Sequence, residues 1–201
     1  SDQNPSYAMR CLGSDADGVA DLLDDFVSGM REGGLSVTLK TFPGIGNVSA
    51  DVTESIAENT DSLMTIRDTN FVPYASGIQA GADCVMVSNA AYSKLTVKKV
   101  PAFMSQDIVT KLLREELGFD GIVMTSPLND NVIENNYTNE FAVVEAVKAG
   151  CDLIVLPGNF KECYEALITA VEEGRIDEKV INTSVRRILQ NKIQRGILVL
   201  E

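Results

Sequence analysis

The segment Lys40-Thr41-Phe42-Pro43-Gly44-Ile45-Gly46 is the clearest chemical signal in this sequence. It follows a short apolar run, residues 35–39, of the kind that forms a buried strand. Its Gly-x-Gly and its proline shape a fixed loop at the end of that strand. Polar loops at the carboxyl ends of parallel strands are where α/β barrels carry their catalytic residues. The sequence therefore predicts a functional site at this strand end.

The residue types present limit the chemistry of such a site. The 201-residue chain contains no histidine, so it lacks the commonest general base near neutral pH and the commonest metal ligand. A histidine-based catalytic triad or zinc site within these residues is excluded. The four cysteines show no Cys-x-x-Cys spacing, and we interpret them as buried thiols rather than as metal ligands. No cofactor is expected.

Apolar runs alternate with amphipathic helical patterns along the chain. The predicted strands cover residues 35–39, 82–88, 121–125 and 151–156. Helices are predicted over residues 15–31, 105–117, 139–149, 160–173 and 177–195, with another inside 61–79. Strands this apolar, with a helix between each pair, predict an α/β fold with a parallel sheet covered by helices. Right-handed crossovers leave a doubly wound sheet or a barrel open. No low-complexity linker divides the chain, so residues 1–201 are expected to form a single domain.

The composition narrows the classes of partner. The formal net charge of −12 and the pI of about 4.4 disfavour a nucleic-acid partner, because such a surface repels phosphate backbones. No apolar run approaches the roughly 20 residues that a membrane-spanning helix needs. The polar N-terminus, residues 1–7, does not resemble a signal peptide. We expect a soluble protein, either cytoplasmic or secreted with a signal removed from its parent.

Seven segments, in order and over nearly the whole chain, resemble glycoside hydrolase family 3. Residues 40–46 resemble the family's Lys-His-Phe-Pro-Gly-His-Gly, and residues 112–121 match its helix-to-strand passage Leu-Leu-Arg-Glu-Glu-Leu-Gly-Phe-Asp-Gly throughout. The other similar segments are residues 10–15, 71–82, 85–92, 101–105 and 149–153. The likeness is to the beta-N-acetylhexosaminidase branch. It implies a TIM-barrel-type (β/α) fold and a family activity of hydrolysing O-glycosyl bonds.

By this resemblance the chain supplies strands five to eight of the family barrel. Four strands do not close a barrel that uses eight. A half barrel exposes two sheet edges, which are adhesive when unpaired. We therefore expect either a homodimer or pairing with a missing N-terminal half-barrel.

The resemblance also implies which positions carry the reaction. Family members are retaining glycosidases with an aspartate nucleophile after strand seven, and this branch uses a histidine, held by an aspartate, as acid/base. The nucleophile position is Ser126 here. At the acid/base motif Asp51 remains, but Thr53 replaces the histidine. Both substitutions predict a chain that is inactive or strongly impaired as a glycosidase, a pseudoenzyme.

The positions that contact sugar in the family are only partly retained. Arg10 and Lys40 keep the family's residue types, whereas Thr41 and Asn89 stand where the family has histidines. These four residues are the predicted substrate-binding set, and carbohydrate is the predicted partner. A structural ion pair or a solvated charge is the alternative role for the two cations.

Two other functions remain open at this point. The chain could be a non-enzymatic half-barrel that serves in assembly or carbohydrate binding. It could also be an active glycosidase, completed by the missing half, in which carboxylates at other positions replace the lost catalytic groups. Such relocated carboxylates are available on loops at Asp51, Asp130 and Glu134.

Overall fold

A three-stranded parallel sheet forms the centre of the protein, as seen in a computed structural model that describes residues 11–48 and 50–199. The strands are β1 (Thr38–Phe42), β2 (Glu58–Asn59), β3 (Cys84–Val87), β4 (Ala91–Tyr92) and β5 (Ile122–Thr125). The main sheet has the order β1-β3-β5, and β2 pairs with β4 in a separate small parallel ladder. Leu39, Val85 and Val123 lie side by side in the register and are all buried.

Helices follow and cover the strands. They are α1 (Ala16–Glu32), α2 (Leu63–Asp68), α3 (Phe71–Gln79), α4 (Asn131–Glu134), α5 (Asn139–Ala149), α6 (Phe160–Glu172) and α7 (Glu178–Gln194). A short 3₁₀ helix (Ala102–Met104) precedes a π helix (Asp107–Glu116). None of the helices in the described part of the chain combines the length and apolar character needed to cross a membrane.

The predicted fold class is confirmed. Parallel strands are separated by helices, and the sheet does not close into a barrel, as expected of part of a TIM-barrel-type fold. One hydrophobic cluster joins the sheet to its covering helices. The carboxyl ends of β1, β3 and β5 lie at one edge of the sheet because the strands are parallel.

The first strand begins three residues later than the sequence pattern predicted. Leu35 is 53% exposed, and Gly34 before it has a positive φ of 80°. The Val37 N–H donates to the Asp83 carboxylate at 2.9 Å rather than to a strand. The ladder starts at Thr38 and runs into the polar motif itself. Lys40 and Thr41 are therefore strand residues rather than loop residues.

The predicted helical region 61–79 contains two helices instead of one. α2 ends at Asp68, and α3 begins at Phe71. Between them, the Asn70 side-chain amide donates to the Pro43 carbonyl at 2.9 Å. This break fixes the loop that follows β1.

The predicted fourth strand, residues 151–156, is present only as an irregular segment beside β5. A single bridge joins Met124 to Leu153. The Val155 N–H donates to the Thr125 hydroxyl at 3.1 Å, and the Val123 N–H donates to the Asp152 carboxylate at 2.9 Å. Side chains therefore take the place of backbone partners on both sides of the bridge, which interrupts the ladder.

Candidate functional site

The predicted site residues within the described chain gather at the carboxyl edge of the sheet. Lys40 and Thr41 are in the last half of β1, Asn89 lies two residues beyond β3, and Ser126 directly follows β5. Arg10 lies outside the described residues. The edge is completed by the loop at residues 50–57 and by residues 126–134, which include α4.

Ser126 is held against the neighbouring strand by its own backbone and side chain. Its N–H donates to the Val87 carbonyl at 3.0 Å, and its hydroxyl donates to the same carbonyl at 2.9 Å. The residue is only 6% exposed. The hydroxyl proton is therefore engaged with the main chain, and this contact ties the end of β5 to the end of β3.

Asp51 and Thr53 form a local turn. The Thr53 hydroxyl donates to Asp51 Oδ1 at 2.7 Å, and the Thr53 N–H donates to the same oxygen at 2.9 Å. Asp51 is exposed, and Thr53 is half-buried. A hydroxyl in this position can donate a hydrogen bond but is far too weak an acid to release its proton near neutral pH.

The loops of these two sets of residues meet over the edge of the sheet. The Val132 N–H donates to the Thr53 carbonyl at 2.8 Å. The Asn131 amide donates to the Glu54 carboxylate, also at 2.8 Å. The structure thus brings together the chain segments of the predicted nucleophile and acid/base positions, while the Ser126 hydroxyl itself is directed to Val87.

Asn89 lies beneath these loops and contacts a carboxylate outside the predicted site set. Its Nδ2 donates to Asp130 Oδ2 at 2.9 Å, and the residue is 1% exposed. Burial raises the pKa of the partly buried Asp130 carboxyl above its ordinary value. The hydrogen bond from Asn89 opposes this rise, and the charges of Asp51 and Glu54 add to it.

The sequence identifies Asp130 as a loop carboxylate, but it does not show that Asp130 contacts Asn89. It stands immediately before α4, the position of a helix cap, yet its side chain makes no capping hydrogen bond. Its partner, Asn89, is 41 residues away in sequence. Glu134, another carboxylate considered from the sequence, is exposed at the other end of α4.

The end of β1 forms a second part of the same rim. The peptide bonds Lys40–Thr41 and Phe42–Pro43 are cis, and the Gly44 N–H donates to the Thr41 carbonyl at 2.9 Å. The Lys40 side chain is exposed. The Thr41 hydroxyl oxygen is buried, with no hydrogen-bond partner within the described residues.

A groove of about 410 Å³ runs along the free side of β1. Residues of α1, β1 and the following loop line it, including Leu23, Phe26, Lys40, Thr41 and Tyr74. The rim residues Lys40 and Thr41 therefore face a mainly apolar groove. Among residues 11–48 and 50–199, no cluster of three or more Cys, Asp or Glu side chains is arranged to hold a metal ion.

Comparison with known proteins identifies similar sequences. The sequence model of a family described as "Glycosyl hydrolase family 3 N terminal domain" matches residues 1–191. A Beta-hexosaminidase of Stenotrophomonas maltophilia (strain K279a) is 31% identical over 97% of this chain and 55% of its own length. A Beta-N-acetylglucosaminidase/beta-glucosidase of Cellulomonas fimi is 28% identical over 97% of this chain and 36% of its own length. The chain thus spans about half or less of these curated relatives.

Solved structures show the same similarity. A glycoside hydrolase family 3 beta-N-acetylglucosaminidase from Paenibacillus sp. str. FPU-7 has a TM-score of 0.93 and 33% identity, covering 99% of this chain and 39% of its own. A Beta-N-acetylhexosaminidase from Beutenbergia cavernae DSM 12333 has a TM-score of 0.86 and 31% identity, covering 94% of this chain and 57% of its own.

Proposed function

Because the chain belongs to glycoside hydrolase family 3, we propose that it contributes a carbohydrate-binding half of the family barrel without supplying that barrel's hydrolytic groups. The ligand class is a neutral sugar, with N-acetylhexosaminides first, since the similar proteins are named as beta-N-acetylglucosaminidases and hexosaminidases. Lys40, Thr41, Asn89 and Arg10 are the proposed sugar-contacting residues.

The observation that carries this proposal is the environment of Ser126. A retaining glycosidase needs a carboxylate that attacks the anomeric carbon and stabilises an oxocarbenium-like transition state. Ser126 is neutral and buried, and its hydroxyl donates to the Val87 carbonyl. Nucleophilic attack would require a base to remove that proton, and the chain has no histidine to do so.

The acid/base position supports the same proposal. Protonation of the leaving oxygen requires a group whose pKa lies near the working pH. Thr53 cannot perform this step. The Asp51 carboxylate that would hold a histidine accepts two hydrogen bonds from Thr53 instead.

The test is release of nitrophenol from p-nitrophenyl N-acetyl-β-glucosaminide by the purified protein. We expect turnover far below about 1 per second, the low end for ordinary enzymes. A rate near that value would overturn the proposal. If the activity then disappeared in Ser126→Ala, Ser126 would be the nucleophile.

Relocated carboxylates are the second candidate function. The position of Asp130 at the sheet edge, hydrogen-bonded to Asn89, favours it. Burial also raises the pKa of Asp130, as is typical of proton donors in glycosidases. In the same assay, activity that survives Ser126→Ala but disappears in Asp130→Asn would establish this alternative. Glu115→Gln, which changes an exposed carboxylate on the π helix, provides the matched control.

We further propose that another polypeptide segment covers the open sides of the sheet. β1 pairs only with β3 within the described residues, and its other side borders the apolar groove. Large apolar side chains are exposed near both sheet edges, including Phe26 beside β1 and Leu156 and Phe160 beyond β5. A second copy of the chain, or the strands of a first half-barrel, would supply the cover.

A further inference from the structure

Asp130 has an unexpected hydrogen-bonding role for its position. An aspartate directly before a helix usually accepts hydrogen bonds from the N–H groups of the first turn. Here the Asp130 carboxylate makes no such contact and instead accepts from the Asn89 amide at 2.9 Å. Within the described chain, Asn89 is the hydrogen-bond donor to this carboxylate. The side chain is therefore held at the sheet edge by Asn89 rather than used to begin α4.

The oxygen of the Asn89 side-chain amide makes no hydrogen bond within the described residues. Asn89 Nδ2 is bonded to Asp130, whereas this oxygen, Oδ1, is buried. A buried acceptor without a donor is unfavourable, and native structures rarely keep one without a reason. Because the side chain is 1% exposed and its Nδ2 is already bonded to Asp130, Oδ1 can gain a donor only if the surrounding strand-end loops adjust.

The charges around Asn89 and Asp130 determine which class of ligand can bind there. Asp51 and Glu54 both interact electrostatically with Asp130, so the local field is negative. Anionic ligands are disfavoured there. A neutral ligand that donates two hydrogen bonds from adjacent hydroxyl groups fits a carboxylate oxygen next to an amide oxygen.

We propose that Asp130 and Asn89 form a two-point binding site for adjacent hydroxyl groups of a pyranose ring. One hydroxyl donates to the Asp130 carboxylate, and its neighbour donates to Asn89 Oδ1. The ligand contacts Asp130 first, because this residue is partly exposed. It contacts the buried Asn89 when the strand-end loops adjust around it. This inference rests on the proposed carbohydrate-binding function and adds to it a ligand-binding residue that the family motifs do not supply.

The experiment measures binding of methyl N-acetyl-β-glucosaminide by isothermal titration calorimetry. The proteins are the full chain and its Asp130→Ala, Asp130→Asn and Glu134→Ala variants, each checked for folding by circular dichroism. Loss of a hydrogen bond to a charged group should weaken binding by about tenfold or more in Asp130→Ala. Glu134→Ala, which changes a carboxylate on the same short helix, should stay within about twofold of the wild type.

A pH series gives a readout that a purely structural role would not change. Protonation of Asp130 removes the negative charge that strengthens its hydrogen bond from the sugar, so binding should weaken as the pH falls through a pKa raised by burial and by Asp51 and Glu54. This transition should persist in Glu134→Ala and disappear in Asp130→Asn.

The outcomes separate this inference from the function on which it rests. Sugar binding that is unchanged in Asp130→Ala would overturn the two-point site and leave the proposed carbohydrate binding intact. If the wild-type chain binds no sugar, both fail. Asp130-dependent binding of Ca²⁺ instead of sugar would also overturn the site, since the occupant would then be a cation.

Discussion

At the residue scale, the family motifs predict that Ser126 and Thr53 occupy the nucleophile and acid/base positions, but they do not show what these two residues contact. That the Ser126 hydroxyl donates to the Val87 carbonyl could not be inferred, because the two residues are 39 positions apart and lie at the ends of different strands. The same holds for Asn89 and Asp130, whose contact depends on how two loops pack above the sheet.

Placing an aspartate at the proposed nucleophile position by Ser126→Asp should destabilise the protein. The new carboxylate would be buried beside the Val87 carbonyl, which can only accept hydrogen bonds, so we expect a loss of about 1–3 kcal/mol in the free energy of unfolding. Ser126→Ala, which removes one hydrogen bond, should cost about 1 kcal/mol. Urea denaturation measures both. An aspartate variant as stable as the wild type would indicate a position still suited to a carboxylate.

Asp130→Asn should stabilise the folded protein at neutral pH. The pKa of Asp130 is raised by folding, so between its unfolded and folded pKa values the folded state binds more protons. Its contribution to stability therefore falls as the pH rises through this window. An asparagine has no charge to desolvate and can still accept from Asn89.

Denaturation curves of the Asp130→Asn variant and the wild type at several pH values measure this effect. The variant's advantage should be largest at neutral pH and shrink as the solution becomes acidic. Glu134→Gln is the matched control and should show no such trend. A less stable Asp130→Asn protein at pH 7 would contradict the expectation.

At the element scale, hydrophobic periodicity predicted the order of the main helices and strands. Where the observed bounds differ from the predicted ones, polar contacts are the cause. The Asp83 carboxylate delays the start of β1 by binding the Val37 N–H. Asn70 marks the break between α2 and α3 by bonding to Pro43. Thr125 and Asp152 interrupt the fourth strand. Each involves a side chain meeting a distant backbone group, which a local sequence pattern does not contain.

The last helix is attached to the sheet mainly by buried ionic contacts. α7 has no fully buried residue. Its Ser184 hydroxyl donates to Asp152 at 2.7 Å, and Arg187 lies 3.2 Å from the same carboxylate. Arg114 binds the other Asp152 oxygen at 2.5 Å. Burial lowers the pKa of Arg114, and the Asp152 charge opposes this effect.

Asp152→Ala should be strongly destabilising because it leaves Arg114 buried without its counter-charge. Breaking a buried pair in this way typically costs about 3–5 kcal/mol. Asp107→Ala, which removes an exposed pair with Lys111, should cost at most about 0.5 kcal/mol. The two variants are compared by chemical denaturation. A loss below about 1 kcal/mol in Asp152→Ala would mean that α7 is held by its other contacts, among them the Asn191 hydrogen bond to Asp83.

At the scale of the whole molecule, charge is unevenly distributed between the first and the last long helix. α1, which borders the groove beside β1, contains five acidic residues and one basic residue. α7, which contacts Asp152 beyond β5, contains four basic residues and one acidic residue. Exposed apolar side chains accompany both, with Leu22 and Phe26 on α1 and Val185, Leu189 and Ile193 on α7. The net charge of −12 gives no indication of this division.

These oppositely charged helices predict that the 201-residue chain, prepared alone, associates in solution. In a twofold dimer, α1 of each copy would meet α7 of the other, joining opposite charges and covering apolar surface twice. Light scattering over a dilution series should show a dimer at micromolar concentration, weakened by salt, because salt screens exposed charges. Phe26→Glu, which adds charge to the apolar part of α1, should shift the equilibrium to monomer, whereas Asp107→Ala should not. A wild-type chain that stays monomeric and folded under all these conditions would contradict the dimer, and the exposed faces would then have to be tested for binding to a first half-barrel added in trans.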